Sequence, residues 1–179
     1  LEDNYHRYQS VIHKNKNGKI FDANFYTPNH ICQFRVDTFS SKEPEMLEWI
    51  DEFGKDAVFY DIGANIGLYS VYFAKMHPEG FTYAFEPSVF NVAQIAKNIS
   101  LNNLQDKVNL IPNPLSASNG FSKFIISSMQ EGGALNAFGV NYGYDGNPIE
   151  NKVEFGLLGF SLDKIIELGI ITKKPTMIK

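Results

Sequence analysis

Two stretches of the sequence combine residue types and spacing that could do chemistry. Asp61-Ile62-Gly63-Ala64-Asn65-Ile66-Gly67 follows the apolar run Ala57-Val58-Phe59-Tyr60, and Glu86-Pro87 closes a second apolar run, Phe81 to Phe85. In the first stretch Gly63 can turn the chain without a Cβ clash. Gly67 can admit close approach of a cofactor, or of helix to strand, and the amides that follow face the positive end of a helix. In the second, Glu86 stands at the carboxyl end of a strand, where one carboxylate can accept both ribose hydroxyl hydrogens of a nucleoside-like cofactor. Asp61, on the neighbouring strand end, can order the glycine loop or receive a donor from that cofactor. The Gly-Xaa-Xaa-Xaa-Gly spacing differs from the dinucleotide fingerprint, and no Lys-Ser/Thr follows to hold phosphates, which disfavours NAD and ATP.

These residues need a scaffold, and the flanking periodicity supplies one. A strand ending at Asp61 is followed by a helix over about 66–76. A strand ending at Glu86-Pro87 is followed by a helical stripe of Val89, Val92, Ile95, Ala96 and Ile99, and a third strand covers 108–111. Two successive βαβ units imply right-handed crossovers and a parallel sheet with helices outside it, so the expected fold is α/β and Rossmann-like. Upstream, Asn17-Gly18 between alternating flanks predicts an antiparallel hairpin, with strands near 10–14 and 19–26 and a further strand near 31–37. Pro44 suits the first turn of a helix carrying Met46, Leu47, Trp49, Ile50 and Phe53, and Gly54 stops it. The chain thus divides into a hairpin-and-helix extension, 1–54, and a cofactor-binding portion, 55–179. Beyond Gly120 the pattern loosens: strands at 121–126 and 153–160, a Gly- and Asn-rich loop at 128–150, a helix capped by Ser161, and the start of one more strand at 176–179.

Composition narrows the function. The 179 residues are 44% hydrophobic, with 15 Phe and 9 Tyr, which argues for one domain with a packed interior. A net charge of -4 without a long basic block gives little reason to expect nucleic-acid binding. Lys14, Lys16 and Lys19 surround the hairpin as solvated charges. Cys32 is the sole cysteine, a buried small hydrophobe that leaves no thiolate cluster or disulfide, and His6, His13 and His30 are too scattered to make a metal site. No apolar run approaches a membrane span and no export signal opens the chain, so a cytoplasmic protein is expected.

The segment from Asp61 through Asn98 resembles the cofactor half of a class I S-adenosylmethionine-dependent methyltransferase, and specifically the FkbM family. Asp61, Gly63, Ala64, Asn65 and Gly67 match that family's Asp-Xaa-Gly-Ala-Asn-Xaa-Gly motif. Phe85-Glu86-Pro87 matches its Phe-Glu-Pro element, and Asn91 its following Asn. Weaker similarity extends through Thr38-Phe39 and Glu43-Pro44-Glu45 upstream, and through Leu115-Ser116, Gly120 and Phe160-Ser161-Leu162-Asp163 downstream. The resemblance implies S-adenosyl-L-methionine as cofactor and methyl transfer to an oxygen of a small-molecule acceptor, with hydroxyls of sugars or sugar-containing natural products the class expected. It places Gly63 to Gly67 at the methionine part, Glu86 at the ribose, and Asn113 and Ser116 near the adenine, with ordinary turn roles the alternative for the last two. The family continues Ile-Lys into an Ile-Asp-Val-Asp/Glu-Gly strand end, where this sequence stops at Ile178-Lys179. A domain portion truncated after its third parallel strand and the start of a fourth is therefore expected.

A hydroxyl acceptor must lose its proton, so an acid near the sulfur is attractive. Glu43 and Glu45, in the entry segment, are the candidates, while His77 caps or follows its helix. Tyr142-Gly143-Tyr144-Asp145-Gly146 could face an acceptor, or could be a solvated connection. A noncatalytic nucleoside-binding or scaffold protein is the competing reading, and an NAD oxidoreductase a weaker third.

Overall fold

The computed structural model describes residues 7–143 and 145–179; His6 and Tyr144 lie outside them. β1 (Tyr8–Lys14) and β2 (Ile20–Tyr26) pair antiparallel through the expected turn, in which Asn15 Oδ1 accepts the N–H groups of Asn17 and Lys19. The strand expected at 31–37 is instead helix α1 (His30–Asp37). Asn29 decides it: its Oδ1 accepts the Cys32 N–H at 2.9 Å, an N-cap that favours helix. The buried pair Cys32 and Val36 sits at i, i+4, a spacing that a short alternating run shares with a strand. Pro44 begins α2 (Pro44–Asp51), which buries Leu47 and Ile50.

The core of the chain alternates β3 (Val58–Ile62), α3 (Leu68–Met76), β4 (Phe81–Phe85), α4 (Val89–Leu101) and β5 (Val108–Ile111). A second, antiparallel sheet of β6 (Gly120–Ile126), β7 (Ala137–Phe138) and β8 (Val153–Gly159) follows, with β6 at its centre. Ser161 then caps α5 (Leu162–Glu167), its Oγ accepting the Lys164 N–H, and β9 (Met177–Ile178) returns to β3. The main sheet is parallel throughout with order β5-β4-β3-β9, the Rossmann-like arrangement read from the sequence. Strand order reverses between β3 and β9. Open sheets bind ligands at the carboxyl ends beside such a reversal, which is where Asp61 and Glu86 stand.

Side chains alternate across the sheet. Phe59 and Ala84 join one core with Phe73, Ile95 and Met177, while Tyr60, Tyr83 and Phe85 join another with Ile165 and Ile171. The hairpin belongs to the first core through Val11, Phe21, Ala23 and Phe25. Its β2 edge is bound by a ladder of amides from α4. Gln94 Nε2 donates to Tyr26 O at 2.7 Å, Asn98 Oδ1 accepts the Tyr26 N–H at 2.9 Å, and Asn102 exchanges two hydrogen bonds with the Asn24 backbone. Four residues of helix rise roughly 6 Å and two residues of strand about 6.7 Å, so positions 98 and 102 keep step with Tyr26 and Asn24, alternate residues of β2, while Gln94 takes the remaining carbonyl of Tyr26. No described helix is long and apolar enough to cross a membrane.

Candidate functional site

The glycine loop is closed on itself. Gly63 and Ala64 both donate their N–H groups to Phe85 O at 2.9 Å, and Asn65 donates to Glu86 Oε2 at 2.8 Å. Ile66 donates to Asn65 Oδ1, and Gly67 to Ala64 O. Every N–H from 63 to 67 is therefore taken. A pyrophosphate cradle needs such donors free, and between 63 and 67 none is. Gly63 (φ 72), Asn65 (φ 54) and Gly67 (φ 83) all hold left-handed backbone, the conformation glycine and asparagine tolerate best. The two glycines differ in purpose. A Cβ on Gly63 would meet nothing within 4 Å, whereas one on Gly67 would lie 2.5 Å from Ile95 Cγ1, so Gly67 admits α4 and not a ligand.

Glu86 is 5% exposed. One carboxylate oxygen accepts the Asn65 N–H and the other the Ser88 N–H at 2.9 Å, leaving further lone pairs on each. Burial pushes its carboxyl up from the usual range, against the pull of the two N–H donors. Asp61 is fully buried on β3, its Oδ2 accepting from Ser70 Oγ at 2.6 Å and its Oδ1 2.5 Å from Lys179 Nζ. Both Asp61 oxygens are thus engaged within the chain, ordering the start of α3 and the β9 end.

Two recesses meet at Gly63 and Asn65. The first, about 330 Å³, holds Glu86, Pro87, Asn91 and Asn113 against the apolar walls Phe124 and Phe138. The second, about 190 Å³, holds Glu43 and Tyr69 with Arg35, Lys42 and Lys179. Glu43 Oε2 accepts from Tyr69 Oη at 2.6 Å; burial first, and then this carboxylate, raise the Tyr69 pKa. Lys179 Nζ also lies 5.4 Å from the Tyr69 ring centroid.

Glu45 is exposed on the first turn of α2 and lines neither recess, whereas Glu43, the non-helical residue that precedes α2 (φ -139, ψ 64), lines the second. Ser116 also stands outside both: its N–H donates to Phe160 O and its Oγ accepts from Ser118, a turn role. Asn113 lines the first recess, though its Nδ2 donates to Leu158 O at 3.0 Å. His77 is buried behind α3, with its ring nitrogens 3.0 Å from Gly54 O and Ile50 O. Tyr142 and Asp145 are exposed and reach neither recess; the Asp145 carboxylate binds Asn147. Cys32 is buried, its thiol pushed up to about 12 by burial and by nearby Glu131. Among the described residues no group of three His, Cys, Asp or Glu side chains gathers to hold a metal.

Sequence reading missed the connection between β6 and β7, which crosses the loop. Asn65 Nδ2 donates to Gly133 O at 2.8 Å and Asn91 Nδ2 to the same oxygen at 3.0 Å, while the Gly132 N–H donates to Asn91 Oδ1. Arg35 Nε donates to Gly132 O at 2.8 Å. Leu135, in left-handed backbone at φ 64 and 59% exposed, stands at the mouth of the first recess. Gly132-Gly133 was the available signal: a Cβ on Gly132 would press on Ile31 and Cys32, and one on Gly133 on Ser128.

No family model matches the chain. A stretch of 60 residues, 34% of this chain, is 37% identical to the methyltransferase sdnD of Sordaria araneosa and spans 23% of that protein. Among solved structures, the chain is similar to M. jannaschii TYW2 in complex with AdoMet (23% identity, 60% of this chain, 44% of that chain, TM-score 0.37). It is also similar to an O-methyltransferase family protein from Burkholderia thailandensis (17% identity, 42% of this chain, 23% of that chain, TM-score 0.34).

Proposed function

We propose that this protein is an S-adenosylmethionine-dependent O-methyltransferase whose acceptor is a hydroxyl of a sugar or a sugar-containing natural product. The observation that carries the reading is the pairing of a fully satisfied glycine loop with the buried carboxylate of Glu86. A dinucleotide would find no free amide between Gly63 and Gly67 for its phosphates, whereas a nucleoside with no phosphate needs only an acceptor for its ribose hydroxyls and apolar walls for its base. Glu86 supplies the first, and Phe124 and Phe138 the second. The partial similarity to the methyltransferase sdnD supports the methyl-transfer part of this reading.

When bound, S-adenosylmethionine supplies a methyl group already activated by a positive sulfur. The chain's part is to orient. Gly63, without a Cβ, leaves open the space joining the two recesses, so that a donor in one and an acceptor in the other can align. Glu43 is the carboxylate that reaches the acceptor recess and takes the hydroxyl proton, with Tyr69 fixing its orientation at 2.6 Å. Calorimetric titration with S-adenosylmethionine, matched against NAD, tests the assignment. Saturable binding of the first with no response to the second is expected, and binding of NAD alone would overturn it.

A further inference from the structure

The recess beside Glu43 is basic on an acidic protein. Arg35, Lys42 and Lys179 line it against the single acid Glu43, while the chain as a whole carries a net charge of -4. Among the described residues, two of the three cations have a carboxylate partner: Lys179 pairs closely with Asp61 at 2.5 Å, and Lys42 loosely with Glu43. Arg35 spends its Nε on Gly132 O, and among the described residues no carboxylate lies within ion-pairing distance of its guanidinium. Lys42 Nζ stands 3.7 Å from Glu43 Oε1, and its side chain is 51% exposed.

We propose that this recess selects a hydroxyl acceptor that also carries a carboxylate or phosphate group, held by Arg35 and Lys42 while its hydroxyl faces Glu43. The assignment rests on the methyl-transfer reading above and narrows its acceptor class. A neutral sugar would leave Arg35 uncompensated and Lys42 only loosely paired beside a positively charged sulfur donor, and like charges at close range repel. An anionic group removes that repulsion, and the planar guanidinium fork matches carboxylate and phosphate geometry in a way that a sugar hydroxyl does not. At about 190 Å³ the recess is of a size for a small acid or a sugar phosphate.

The test titrates D-glucuronate, D-glucose 6-phosphate and D-glucose into protein saturated with S-adenosylhomocysteine, before and after Lys42→Gln. Both charged sugars are expected to bind at least about tenfold more tightly than glucose, the value of one charge-assisted hydrogen bond. The tighter of the two identifies carboxylate or phosphate. Lys42→Gln is expected to weaken the charged sugars about tenfold and to leave S-adenosylhomocysteine affinity within about twofold. Arg35→Lys, which keeps the charge but loses the fork, is expected to weaken them less.

Equal binding of glucose overturns the inference, as does tighter binding of a short single-stranded RNA. An equal loss of S-adenosylhomocysteine affinity in Lys42→Gln also overturns it, since the cations would then serve the carboxylate of the cofactor itself. Failure of S-adenosylhomocysteine to bind the unsubstituted protein overturns the methyl-transfer reading and the acceptor class with it. Binding of S-adenosylhomocysteine with no preference for charged sugars overturns the acceptor class alone.

Discussion

The glycine loop takes part in two grips, and the grips differ in kind. In the first, Ile95 packs into the space left by Gly67, and Asn98 Nδ2 donates to Ile66 O at 2.8 Å while its Oδ1 holds the β2 edge. The second grip is on the Gly132-Gly133 crossing, held by Asn65 of the loop itself and by Asn91 in the first turn of α4. The first grip is made by elements of one continuous core and is inaccessible to water. The second is made by a long connection whose next residues, Ala134 and Leu135, are exposed. Disturbing the first should therefore unfold the protein, and disturbing the second should loosen the mouth of a site.

The largest effect falls on the first grip. Gly67→Ala places a methyl in left-handed backbone, costing roughly 1–2 kcal/mol, and drives it into Ile95, where overpacking costs about 1–3 kcal/mol more. A fall in the urea midpoint at unchanged slope is expected. Asn98→Ala is of the same order: it strands the Tyr26 N–H and Ile66 O against a buried helix, each worth about 1–3 kcal/mol when left without a partner. Protection of the Tyr26 amide from hydrogen exchange should fall with it.

The same contrast governs what could be read without a structure. Gly63, Gly67 and Glu86 sit at the joints of consecutive βα units, where period, turn residue and strand end all point to one local geometry, so the parallel sheet and its loop were legible. The helix at 30–37 was not, because Cys32 and Val36 satisfy both periods and only the single Asn29 cap separates them. The ladder of Gln94, Asn98 and Asn102 has helical spacing in plain view. Its partner on β2, however, lies some seventy residues away and is recognised through backbone atoms, which carry no sequence signature. The Gly132-Gly133 crossing was hidden for the same reason, since Asn65 and Asn91 hold its carbonyls and amide and none of its side chains. Of the two acids in the entry segment, only the point at which α2 begins distinguishes Glu43, which precedes it and lines the recess, from Glu45, which lies in its first turn and faces water.

In the second grip, Asn91→Ala is expected to cost about 1–2 kcal/mol, near the lower end for lost buried hydrogen bonds, because the connection it holds runs on into exposed residues and can shift and admit water. Limited proteolysis should cut within 128–135 in this variant before the rest of the chain opens. Gly63→Ala costs about 1 kcal/mol through its left-handed backbone alone, since its methyl meets no neighbour. That methyl stands in the space the two recesses share, so the same substitution should lower S-adenosylmethionine affinity by at least about tenfold, roughly one lost close contact region, read by calorimetry. Gly67→Ala and Gly63→Ala would thus separate stability from binding within one motif.

The smallest effect is one of slope, and it isolates Glu86. Its carboxyl titrates above the usual 4.5 because burial disfavours the charged form. Between that ordinary value and the raised one, the folded protein holds a proton that the unfolded chain has released. Stability of the ligand-free protein therefore falls as pH rises through this window. Ligand affinity runs the other way, since only the ionised carboxylate offers its full set of lone pairs to ribose hydroxyls and to the N–H groups of Asn65 and Ser88. Two opposed slopes over one pH interval are expected, thermal midpoints falling while S-adenosylmethionine affinity rises, and both should vanish in Glu86→Gln. Parallel slopes would mean that the group titrating there is not the one that holds the ligand.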